Sequence, residues 1–96
     1  MSNKRNFLTL THDGAQLVNG YLVHGYGYYK HNSFWRSIHL GTGLMVAEEL
    51  TLKAAKAATE LRKYKVECFL ASERGKGRVQ IFQDACSVYF INGGTL

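Results

Sequence analysis

Apolar residues recur along this chain in two rhythms, and one stretch keeps the longer of them. In Thr51–Lys65, TLKAAKAATELRKYK, Ala54, Ala57, Ala58 and Leu61 share one side of a helical wheel. Lys53, Lys56, Glu60 and Lys63 share the opposite side. A period near 3.6 predicts a two-faced helix there. Thr51 suits its N-cap, where a hydroxyl accepts a bond from an amide left unpartnered in the first turn. A start near Ala47 is the alternative, and it would set Glu48 and Glu49 against the positive end of the helix dipole. A face built of alanine lets a helix sit close to a sheet, so Ala58 is expected at a packed contact.

The rest of the chain keeps the shorter rhythm. Phe7–Thr11 alternates and runs into Asp13-Gly14, a strong turn pair. Gln16–Val18 and Tyr21–Val23 flank Asn19-Gly20, which fits either a second tight turn or a bulge in one long strand. Tyr26–Tyr29 and Phe34–Leu40 read as strands, and Gly41-Thr42-Gly43 as a turn. Leu44–Val46 reads as a short edge strand. Beyond the helix, Val66–Ser72, Val79–Phe82 and Cys86–Ile91 also read as strands, with Glu73–Arg78 as a hairpin tip. Hairpin-length connections favour antiparallel pairing.

The expected fold is therefore α+β: one antiparallel sheet of about five to six strands, with a single helix (about 51–65) packed on one face. A length of 96 residues fits one compact domain, 1–96, with flexible ends expected at 1–6 and 92–96.

Charge adds a direction. Twelve Lys and Arg face seven Asp and Glu, a net charge of +5 that favours anionic partners. The two cysteines, Cys68 and Cys86, lie in apolar runs, where thiols are usually inert. They can bridge only if their two segments are neighbours. His12, His24, His31 and His39 are scattered, with no metal-binding spacing. Neither a metal nor a cofactor is implied. The opening MSNKRN lacks a signal-peptide core, and no apolar run reaches the length of a membrane span. The expectation is a cytoplasmic protein with reduced thiols and no membrane partner.

Four groups of residues are candidates for contact. Tyr26 and Tyr28 alternate with glycines beside Lys30, a pattern that can present rings for base stacking. Gly25-Tyr26-Gly27-Tyr28 matches part of an aromatic RNA-binding strand motif, but Tyr29 and the strand that follows depart from it. Arg74, Lys76 and Arg78 make a basic tip suited to phosphates or an acidic protein surface. It lacks the glycine spacing of a phosphate-binding loop. Lys53, Lys56 and Lys63 form a basic stripe on the helix, interrupted by Glu60. Trp35 follows Phe34, so on a strand one ring enters the core and the other faces out as a contact anchor.

The scattered carboxylates offer no acid/base pair, so the chain is expected not to be an enzyme. Its expected function is that of a small binding protein acting by stoichiometric contact with a protein or a protein–nucleic-acid complex. Its size and plainness associate it with phage or mobile-element inhibitors of nucleic-acid-handling machinery. The alternative is a module that binds RNA or DNA directly through the tyrosines and the basic tip. An unpaired edge strand such as Leu44–Val46 also offers a route to a homodimer.

Overall fold

The computed structural model describes residues 3–96. Five strands come first: β1 (Arg5–Thr11), β2 (Gly14–Val23), β3 (Tyr26–His31), β4 (Phe34–His39) and β5 (Met45–Glu49). Two helices follow, α1 (Leu52–Ala71) and α2 (Glu73–Ile91). The sheet is an antiparallel meander in the order β1-β2-β3-β4-β5. The α+β architecture with one antiparallel sheet is thus as expected, but there are two helices where one was expected. Two-residue turns join the first four strands. His24 and Asn32 take the positive φ that such turns require, at 47° and 56°. β1 begins at Arg5, inside the arm expected to fray; residues 1 and 2 of that arm lie outside the described residues.

Asn19-Gly20 lies within one long strand. The first part of β2 pairs with β1, from Gly14↔Thr11 to Gly20↔Arg5. The last part pairs with β3, from Tyr21↔Tyr28 to Val23↔Tyr26. Gly20 is the hand-over point. A side chain there would strike the Tyr28 carbonyl, so only glycine lets β2 cross this close to β3. The β1–β2 hairpin bends over the sheet until the Leu10 amide donates to the Gly43 carbonyl at 2.9 Å.

This bend buries β3 on both faces. On one side Tyr29, Phe7 and Ile38 form a cluster, with Val18 and Leu40 against it. The Phe7 ring occupies the space a Cβ on Gly27 would need, 2.6 Å away. On the other side Tyr26, Tyr28 and Ala55 form a second cluster, joined by Trp35, Leu52 and Val66. α1 covers β4 and β5, and α2 lies against β1 and β2.

Thr51 caps α1 as expected, accepting from the Ala54 amide at 3.1 Å. Glu48 and Glu49 belong to β5, so the earlier start near Ala47 is not used. The buried face of α1 is rotated from the one expected. Ala55 and Thr59 are buried, while Ala57 and Leu61 face solvent. The cause is Thr59: its hydroxyl finds Ser37 on β4 at 2.7 Å, so a polar residue occupies the centre of the packed face. An apolarity-based wheel cannot place it there.

Val66–Ser72, Val79–Phe82 and Cys86–Ile91, expected as strands, are helical except for the cap residue Ser72, and Glu73–Arg78 is the start of α2, not a hairpin tip. Short apolar runs rich in β-branched and aromatic residues suit either a strand or a buried helix. Longer spacing decides for the helix. Gly75, Val79, Phe82, Cys86 and Tyr89 recur every three or four residues, and all five are buried or half-buried. Ser72 is the corner. Its amide donates to the Phe69 carbonyl and closes α1, and its hydroxyl accepts from the Gly75 amide at 3.1 Å and opens α2.

Candidate functional site

The structure disperses the residues the sequence suggested. Tyr26 and Tyr28 are core, 7% and 3% exposed, and cannot stack on a ligand. They pack beneath α1 because their strand parity points them there. Burial pushes the Tyr26 hydroxyl pKa up, against the opposing pull of Lys63.

Lys63 is not a free member of a stripe. It donates to Glu60 at 2.6 Å, which raises its pKa, and its ammonium sits 5.7 Å from the Tyr26 ring centroid. Its stem roofs the tyrosine while its charge stays wet. Lys53 and Lys56 are exposed on the first turns of α1. Arg74, Lys76 and Arg78 are exposed on the first turns of α2, with Lys76 3.8 Å from Glu73. The two basic groups open different helices, and the length of α1, about 30 Å at the usual rise, separates their starts along the chain path. They do not form one cationic surface.

A second pair of candidates also comes together. Lys30 and Trp35 are cross-strand partners in the β3–β4 ladder. Trp35 is half-buried against α1 and stacks on Tyr21, with centroids 6.2 Å apart and planes at 28°. Lys4 lies 5.9 Å from the Tyr21 ring centroid. Phe34 is the outward ring of the Phe34-Trp35 pair. Tyr21 escaped notice in the sequence because its match with Trp35 depends on the β2 hand-over.

The concave side of the bent sheet holds a cleft of about 320 Å³, bordered by Gln16, Tyr29, His31, Arg36 and Met45. Lys30 and Arg36 both border it, and Arg36 is already engaged. Arg36 Nε donates to Glu48 at 2.6 Å, and a terminal nitrogen reaches the Tyr29 hydroxyl only at 3.5 Å. Among the described residues, no group of three or more His, Cys, Asp or Glu is placed to hold a metal ion. Cys68 is exposed and Cys86 half-buried, both free thiols, and burial raises the pKa of Cys86. Among the described residues no helix is long and apolar enough to cross a membrane.

The most unusual surface lies on the helices. Along α2, Ile81, Val88 and Ile91 are about half or more exposed, at positions i, i+7 and i+10. Arg74 and Arg78 continue that line toward the N-terminal end. Along α1, Leu61 and Tyr64 stand out at 85% and 75% exposure. Both stretches face away from the sheet. Sequence reasoning missed the α2 line because it read those residues as strand interior; the helical spacing of Ile81, Val88 and Ile91 is the signal that finds it.

No protein-family model, curated protein or solved structure matches this chain.

Proposed function

We propose that this chain is a non-catalytic binding protein that works by stoichiometric contact with another protein, using the outer face of α2. One observation carries the reading: three large aliphatic side chains, Ile81, Val88 and Ile91, line an exposed helix face that begins with Arg74 and Arg78. A solvated helix places polar residues on such a face. An apolar line with a cationic head, broken by exposed Asp84 between Ile81 and Val88, fits a groove that is apolar over most of its length and acidic at one end. Lys76 adds charge near the same end and would steer the encounter more than strengthen the complex.

The test pairs capture with reconstitution. A tagged full chain is used to capture partners from a cell extract, and the captured protein is then purified and titrated against it. An Ile81→Ser/Val88→Ser variant should lose the complex. An Arg74→Ala/Lys76→Ala/Arg78→Ala variant should associate more slowly and with a weaker dependence on salt. Equal binding by the serine variant sinks the proposal.

A second reading rests on the Tyr21–Trp35 stack with Lys4 and Lys30 beside it. Aromatic rings next to cations suit single-stranded nucleic acid, each stacked base contributing about 1–3 kcal/mol. Such binding weakens steeply with salt through counterion release. A labelled single strand that fails to bind at low salt removes this reading, and Trp35→Ala should abolish binding if it occurs.

A further inference from the structure

We propose that the outer face of α1 is a homodimer interface, where a second copy of this chain docks its own α1 in parallel. The inference is independent of the α2 reading. It starts from a register. Ala54, Ala57, Leu61, Tyr64, Cys68 and Ala71 follow one another at alternating steps of three and four residues. That alternation is the seam of a two-stranded coiled coil, with Ala54, Leu61 and Cys68 at one core position and Ala57, Tyr64 and Ala71 at the other. The seam lies opposite Leu52, Ala55, Thr59 and Val66, the residues of α1 that meet the sheet. The body of the domain therefore does not obstruct it. The seam runs for most of α1, about 27 Å at the usual helical rise.

The flanking charges say what covers it. In this register Glu60 precedes one core position and Lys65 follows the next. Parallel pairing places Glu60 of each copy beside Lys65 of the other, a favourable contact made twice. Antiparallel pairing sets Glu60 beside Glu60 and Lys65 beside Lys65 of the second copy, like against like, and these offset its two Lys53–Glu67 contacts. Glu60 already accepts from Lys63 through one carboxylate oxygen and keeps the other for this contact. The core layers agree with the charges. Alanine and cysteine layers let the helices approach closely, and the Leu61 and Tyr64 layers supply bulk between them.

The seam is also a better route to a dimer than sheet extension at β5. There the Arg62 guanidinium donates to the Val46 carbonyl at 2.8 Å and occupies a backbone acceptor of that strand.

Analytical ultracentrifugation of the full chain over a wide concentration range reads the assembly. The expected result is a reversible dimer that Leu61→Glu converts to monomer with an unchanged circular-dichroism spectrum, since Leu61 is exposed in the protomer. Glu60→Lys should weaken the dimer about tenfold, and Glu60→Lys/Lys65→Glu should restore it. Mild copper–phenanthroline oxidation should link two copies through Cys68, with the link lost in Cys68→Ser and kept in Cys86→Ser. A monomer at every concentration overturns the proposal. So does a dimer indifferent to Leu61→Glu, or one in which Cys68 forms no link, because antiparallel pairing sets Cys68 against Ala57.

Discussion

Thr59 on α1 and Ser37 on β4 meet hydroxyl to hydroxyl at 2.7 Å, both with no exposed surface. Thr59 also reaches the Ala55 carbonyl at 2.8 Å. A hydroxyl has one proton and a carbonyl only accepts, so the consistent chain runs from Ser37 to Thr59 to Ala55. Every buried side-chain polar atom among the described residues has a partner, and this chain is how two of them are satisfied. Thr59→Val keeps the shape and leaves the Ser37 hydroxyl unpaired, which should cost about 1–3 kcal/mol. Ser37→Ala on that background should recover part of the loss. Urea unfolding of the two single variants and the double variant measures the coupling, and additive costs would show that the hydroxyls do not interact.

The rotation of α1 makes a second, contrasting prediction. Ala55 has no exposed surface and packs with Tyr26 and Tyr28, whereas Ala57 faces solvent. Ala55→Leu should destabilise by about 1–3 kcal/mol through overpacking. Ala57→Leu should leave the melting temperature of the monomer nearly unchanged. If Ala57→Leu is the damaging one, the face assigned to the sheet is wrong.

These two residues also show how far the sequence could be read. Alternation and turn pairs exposed the strand meander, and Thr51 marked the start of α1 through its capping chemistry. Those signals are local, and local structure obeys them. The face of α1 was not legible because a threonine–serine contact across elements outranks apolarity at position 59. The second helix was obscured by Gly75 and Gly77, which read as a flexible tip. Tyr26 and Tyr28 look like a binding strand until the bend at Gly20 and the roof of α1 bury β3 on both faces. The outward lines of α1 and α2 could be recognised only once the inward faces were known.

Gly75 makes its own prediction at the helix corner. It is buried where α2 leaves α1, and a side chain there would run into the Phe69 carbonyl and the Leu70 backbone. Backbone cannot swing aside as a flexible side chain can. Gly75→Ala should therefore destabilise the domain, although alanine favours a helix by up to about 1 kcal/mol over glycine. Gly77, with open space around its Cβ direction, should instead gain from the same change. Thermal melts of the two variants should move in opposite directions, and a stabilised Gly75→Ala would refute the close α1–α2 packing.

The two thiols should separate by reactivity. Cys68 is exposed on α1, while Cys86 is half-buried beside Phe82 and Phe90, and burial raises its pKa. The thiolate is the reactive form, so burial slows Cys86 both by limiting access and by raising its pKa. Iodoacetamide at mildly alkaline pH, at a dilution where the chain is monomeric, should modify Cys68 first, as read by peptide mass spectrometry. Equal rates in the native protein, with a difference absent even before denaturant, would contradict the placement of Cys86.

His39 carries the pH prediction. Its ring is half-buried, edge-on to Tyr26 with centroids 5.5 Å apart, and its Nδ1 lies 3.2 Å from the Thr42 hydroxyl. Burial holds its pKa below the ordinary 6.5. Arg62 and Lys65 border the same groove and give a protonated imidazole no counter-charge. Just below pH 6.5 the unfolded chain takes up a proton at this site more readily than the folded one. Stability therefore rises with pH across that window. The contribution is complete above the unfolded pKa and declines as pH falls through it toward the folded value. The melting temperature should drop between about pH 7.5 and pH 5.5, and His39→Gln should flatten that part of the profile. A profile that keeps its slope in His39→Gln would assign the dependence to another group.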